Sequence, residues 1–175
     1  SGLAVCVVMT RGQLRHWQNT ILLFDHALQV TRNNDVAHCN LGALLVDQGK
    51  LEQGIEHLNR VLEIKPDYED AHNNLGYAYA AQKKYPEAIA EYEIALRIRP
   101  NHPEVHNNLG NALRAQGRLD EAIKEYERAI EIRENYPEAY NNMGTVFRDM
   151  QKLEQADASY RRAIEVDPWQ AENRL

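Results

Sequence analysis

The sequence predicts an all-α solenoid assembled from copies of one helix pair. Three observations carry that expectation: a strict 34-residue spacing, apolar residues at helical intervals inside each period, and glycines and prolines gathered at the joints. Gly42, Gly76, Gly110 and Gly144 stand 34 residues apart, preceded by Leu41, Leu75, Leu109 and Met143. The same step links Gly54, Ala88, Ala122 and Ala156, then Leu58, Tyr92, Tyr126 and Tyr160, and also Val61, Ala95, Ala129 and Ala163. Self-similarity at such a period marks stacked supersecondary units, each burying its apolar face on the next.

Residues 1–34 lack the Leu-Gly marker, yet Trp17, Thr20, Phe24, Ala27 and Val30 match Tyr85, Ala88, Tyr92, Ala95 and Ile98 two periods on. They read as a degenerate repeat with a second helix near 17–31. Its first part, Leu3 to Met9, is seven consecutive apolar residues, read either as the buried first helix of an irregular terminal repeat or as the end of a transmembrane helix. Too short to span a bilayer alone, it does not decide between them. Four full units follow, 35–68, 69–102, 103–136 and 137–170. Within 69–102, Leu75, Ala78, Tyr79 and Gln82 share one helical face, and Ile89, Tyr92, Leu96 and Arg99 share another after a break at Lys83 to Pro86. Gly49 and Gly117 occupy the equivalent turns elsewhere, and Pro66, Pro100 and Pro168 stop second helices, with Glu134 in that place in the third unit. Gly76 and Ala88 are expected to face each other where the two helices approach. Residues 171–175 begin a further helix or a truncated cap, so the ends are expected to be open and able to stack on another molecule.

Composition excludes several classes. The net charge is −6 and no Lys/Arg block occurs, which argues against a nucleic-acid footprint. Cys6 and Cys39 have no metal-ligand or disulfide-framework spacing. His38, His72 and His106 recur one repeat apart, on the order of 10 Å, too far to share an ion held by bonds of about 2 Å. No phosphate loop, nucleophile elbow or His-Glu-x-x-His occurs, and carboxylates such as Glu121 and Glu125 read as exposed helix faces, so neither catalysis nor a cofactor is expected.

The ordered set of Leu-Gly, Ala, aromatic, Ala and closing Pro, as in Asn73-Asn74-Leu75-Gly76 and Pro86-Glu87-Ala88-Ile89, resembles the tetratricopeptide repeat family over 136 of the 175 residues. The family's large aromatic near the start is replaced by His38, His72, His106 and Tyr140. The resemblance implies a right-handed superhelix of helix-turn-helix units whose first helices line a concave face.

The resemblance puts a row of asparagines on that face. Asn40, Asn74, Asn108 and Asn142 recur every 34 residues, three of them preceded by Asn73, Asn107 and Asn141. Asparagine is a mediocre helix former, so its repetition in first helices has either a structural cause, a bond to the neighbouring repeat's backbone, or a functional one, a ladder of amides gripping a peptide main chain. The ladder resembles the tetratricopeptide superhelix of O-linked N-acetylglucosamine transferase. Tyr77, Asn111 and Thr145 stand one turn further on, followed by Arg114 and Arg148, which either pair with a ligand carboxylate or bond Asp149 or Asp120 of the scaffold. A chaperone-tail clamp is disfavoured because Asn73, Asn107 and Asn108 are neutral where that clamp is basic.

The expected function is therefore protein–protein interaction, with an extended peptide or helix in the groove. Two alternatives stand beside it: the soluble tail of a larger membrane-attached glycosyltransferase, and a scaffold that self-assembles through its ends. A cytoplasmic location is expected, a membrane-attached soluble domain being the other reading.

Overall fold

The computed structural model describes residues 34–166, together with Phe24, which is helical and half-buried. The readings placed on residues 1–33 and 167–175, including the apolar run, Pro168 and the closing tail, lie outside the described residues. Among the described residues, no helix is long and apolar enough to cross a membrane.

The described residues form eight helices: α1 (Asp35–Asp47), α2 (Leu51–Ile64), α3 (Glu69–Ala81), α4 (Tyr85–Ile98), α5 (Pro103–Ala115), α6 (Leu119–Ile132), α7 (Pro137–Asp149) and α8 (Leu153–Val166). They fall into two compact units, residues 1–66 and 67–175. In the first unit α1 packs on α2. In the second, α3 pairs with α4, α5 with α6 and α7 with α8, while α4 touches α5 and α6 touches α7. First helices also meet, α3 with α5 and α5 with α7. This is an all-α solenoid of helical repeats.

Packing explains the repeated residues. A Cβ at Gly76 would stand 2.6 Å from the ring of Tyr92, and one at Gly110 would stand 2.6 Å from that of Tyr126. The first helix thus needs glycine because an aromatic ring from the second helix lies close against its backbone. In the first unit Leu58 takes the ring's place, 2.8 Å from a Cβ at Gly42, and the Gly54 carbonyl oxygen follows at 3.1 Å. Tyr92, Tyr126, Leu109, Leu113 and Val146 belong to one core that runs as a line across successive helices.

The joints differ from the reading of the sequence in two ways. Tyr85 is already helical, so the break in that unit covers only Gln82 to Lys84. Lys83 takes the left-handed conformation, φ 61°, that Gly117 takes at φ 76° in the next unit. Around it the Lys84 N–H bonds to the Tyr79 carbonyl and the Lys83 N–H to the Ala80 carbonyl, the pattern that closes a helix through one left-handed residue. At the other joint, α6 stops at Ile132 although Glu134 stands where other units have proline. Extended backbone at Arg133 ends the helix there, as it does at Lys65, and Tyr136 is buried beyond it.

Candidate functional site

Each buried histidine serves the scaffold. His72 Nδ1 lies 2.7 Å from Glu91 and His106 Nδ1 2.7 Å from Glu125, both on the second helix of the same unit. Glu125 is therefore a partner in a half-buried pair, a correction to its reading as a merely solvated face. In the first unit His57 stands where those glutamates stand, and its Nδ1 lies 2.9 Å from Nδ1 of His38.

Burial, reinforced by Asp70, pushes the Glu69 carboxyl up to about 7 against the pull of Arg99. Glu69, Asp70 and His102 bring ligand atoms within 4.8 Å of one another. Arg99 already supplies a cation there, bonding both Glu69 and Asp70.

The asparagines are placed unequally. Asn40 lies on α1 in the first unit and is exposed; the others are in the second unit. Asn73, Asn74, Asn108, Asn141 and Asn142 are half-buried, while Asn107 is only 7% exposed. Asn108 Nδ2 donates to Asn73 Oδ1 at 3.4 Å, and Asn142 Nδ2 donates to Asn107 Oδ1 at 2.9 Å. These contacts join side chain to side chain across neighbouring repeats of the second unit, where the sequence suggested side chain to backbone.

One turn further on, the Tyr126 hydroxyl donates to Asn111 Oδ1 at 2.8 Å, and the Tyr160 hydroxyl to Thr145 Oγ1 at 3.3 Å. Tyr77 is 50% exposed. Arg114 holds Asp149 with two bonds of 2.9 and 2.8 Å, which keeps the Asp149 carboxyl below its usual range. Of the two scaffold carboxylates considered for Arg114, it is Asp149 that the guanidinium reaches. Arg148 makes only a 3.6 Å contact with Asp149 and is 59% exposed.

The structure brings Tyr77, Asn108 and Asn111 to one recess between α3 and α5, of about 230 Å³. Sequence reasoning missed the residues that form the rest of it, among them Ala80, Tyr85 and Ala115. The signal was available as a difference, since Ala80 lies 34 residues before Arg114 and Ala115 lies 34 before Asp149.

An array of helix pairs with an amide-rich face of first helices defines a helical-repeat module for protein interaction. The chain belongs to the tetratricopeptide repeat family: the TPR repeat model matches residues 43–83, 76–113 and 110–147, and the tetratricopeptide repeat model matches 137–169. No curated protein matches it. Among solved structures, a crystal structure of MamA is similar at 22% identity and a TM-score of 0.79, covering 95% of this chain and 99% of that one. MamA from Desulfovibrio magneticus RS-1 has a TM-score of 0.79 at 16% identity, with 89% of each chain covered. MamA AMB-1 is 26% identical with a TM-score of 0.69, covering 89% of this chain and 91% of that one. These likenesses establish the fold, and family membership makes the chain a protein-interaction scaffold module.

Proposed function

We propose that the second unit holds an extended segment of a partner protein along the face carrying Asn74, Asn108 and Asn142, through hydrogen bonds to the partner's main chain. One observation carries this reading. Asn108 and Asn142 each give one N–H to the neighbouring unit and keep a carbonyl oxygen and a second N–H, a donor and an acceptor in the pairing that a peptide unit needs. The 3.4 Å length of the Asn108–Asn73 contact makes it a weak structural bond, which supports a role beyond the scaffold.

The test is the double substitution Asn74→Ala with Asn108→Ala, assayed against peptides selected from phage-displayed random dodecapeptides. The reading expects a melting temperature within a few degrees of the parent and loss of binding. Unchanged binding, with a large fall in melting temperature, would mean that the ladder is structural.

A second reading, self-association, is favoured by Ile164 on α8, which is 54% exposed. One repeat earlier, Ile130 packs against Ala129, Tyr136 and Ala139. Ile164→Glu should abolish any concentration-dependent mass in light scattering; a parent protein of constant mass at high concentration counts against this reading.

A further inference from the structure

Two successive steps of the same face are built from equivalent positions and filled differently. Between α5 and α7, Arg114 and Asp149 form a two-bonded ion pair at the surface. Between α3 and α5, the equivalent residues are Ala80 and Ala115, and the space is an open recess of about 230 Å³.

Its lining selects an occupant. The methyl groups of Ala80, Ala112 and Ala115 and the rings of Tyr77 and Tyr85 form a largely apolar hollow with no carboxylate, ammonium, guanidinium or imidazole group among them. Its alanine and ring walls favour an apolar side chain over a charged one, which would lose part of its water there. An apolar cavity of about 150 Å³ holds a benzene molecule, so this recess admits one large aliphatic or aromatic side chain. At its rim, Asn111 gives its carbonyl oxygen to Tyr126 and so presents its NH₂, while Asn108 presents its carbonyl oxygen. Together they offer a donor and an acceptor to the main chain of the residue whose side chain is inserted.

Charge adds a second feature. One unit along, two guanidinium groups, Arg114 and Arg148, share the single carboxylate of Asp149. The excess positive charge complements an acidic side chain. Neighbouring helices stand roughly 10 Å apart, which an extended chain rising about 3.3 Å per residue covers in three or four residues.

We propose that the recess between α3 and α5 is the anchor subsite for one large apolar side chain of an extended partner segment that carries an acidic side chain three or four residues away. This rests on the groove reading above and gives it a specificity.

Phage-displayed random dodecapeptides selected on the parent protein, and their affinities measured by fluorescence anisotropy, test it. The selected peptides should share a Leu, Ile, Met or Phe spaced three or four residues from an Asp or Glu. Ala80→Arg with Ala115→Asp gives this step the ion pair its neighbour already carries, and should weaken those peptides at least about tenfold, the value of one buried apolar side chain. Arg148→Glu should turn the acidic preference into a basic one. If the alanine pair variant melts early, Ala115→Leu fills the recess with an apolar group and carries the same expectation. Peptides that bind parent and filled variants equally, or that lack the apolar residue, overturn the anchor while leaving the groove reading intact. Peptides that also bind the Asn74, Asn108 double alanine variant undiminished, or a selection that yields no binder, overturn the groove reading and the anchor with it.

Discussion

The α3/α5 and α5/α7 steps share a backbone plan and differ in what occupies it. Both place a glycine against a tyrosine ring, Gly76 on Tyr92 and Gly110 on Tyr126, and both link asparagines across the step. Yet one step ends in a recess and the other in the Arg114–Asp149 pair. Repetition therefore fixes the spacing of the helices, and departures from repetition set the chemistry of the face. Function is to be sought where the two steps disagree.

The largest expected effect comes from breaking what the steps share. Gly110→Ala drives a Cβ to 2.6 Å from a ring that is fully buried, so helix and ring must separate. We expect a loss of about 2 kcal/mol, the usual scale of overpacking, read as a lower urea midpoint. Gly144→Ala should cost less, because its Cβ starts at 2.8 Å from Tyr160, a half-buried ring with room to yield. Equal losses at the two glycines would mean that ring burial does not govern the approach.

A comparable effect separates the starts of the first helices. Glu69 occupies the first helical position of α3, where α5 and α7 have Pro103 and Pro137. Its carboxyl is raised from 4.5 to about 7 in the fold, chiefly by burial. A folded-state value above the unfolded one gives stability that is complete below about 4.5 and is lost as pH rises through about 7. The parent should thus lose on the order of 2 kcal/mol between pH 5 and pH 8 from this group, and Glu69→Gln should remove that slope. Urea midpoints at the two pH values measure it; an unchanged slope in the variant would assign the dependence to other groups.

Smaller than both is the effect of the turn. Lys83 and Gln151 hold φ 61° where Gly49 and Gly117 hold φ 76°. A side chain in the left-handed region costs roughly 1–2 kcal/mol, part of which glycine returns through its greater freedom in the unfolded chain. Lys83→Gly should therefore stabilise by about 0.5 kcal/mol, seen as a slightly higher urea midpoint. A destabilised variant would show that the Lys83 side chain contributes contacts that outweigh its backbone strain.

These contrasts also explain what was legible in the sequence. Equivalence runs at 34 residues, which made the helix pairs, Gly76 and Tyr92 readable at once. Contact between repeats runs at 35: Asn73 with Asn108, Asn107 with Asn142, Arg114 with Asp149. A residue and its equivalents one period on are neighbours in a row, but the atom a side chain touches lies one residue beyond. Read at 34, Ala80 and Ala115 are two unrelated small residues; paired at 35, they are the two sides of one recess. The asparagine ladder was visible because it repeats, whereas the recess was hidden because it is a place where repetition fails.

The smallest stability effect gives the sharpest reading of the two steps. Arg114→Ala with Asp149→Ala replaces the ion pair by the residues found at Ala80 and Ala115. The pair sits at the surface, where such contacts add little, so melting should stay close to that of the parent. Removing it should open a second hollow between α5 and α7, shallower than the first because Val146 stands there where Ala112 stands in the recess. Leu119 would replace Tyr85 as one wall, and Thr145 would replace Asn111 at the rim. Titrating N-acetyl-leucine N-methylamide into the variant and following methyl resonances by NMR should give shifts at Val146 and Leu119 that the parent lacks. If the variant gains none, the volume of the first recess depends on Tyr77 and Tyr85 more than on its alanines, and the anchor subsite is a property of its aromatic walls.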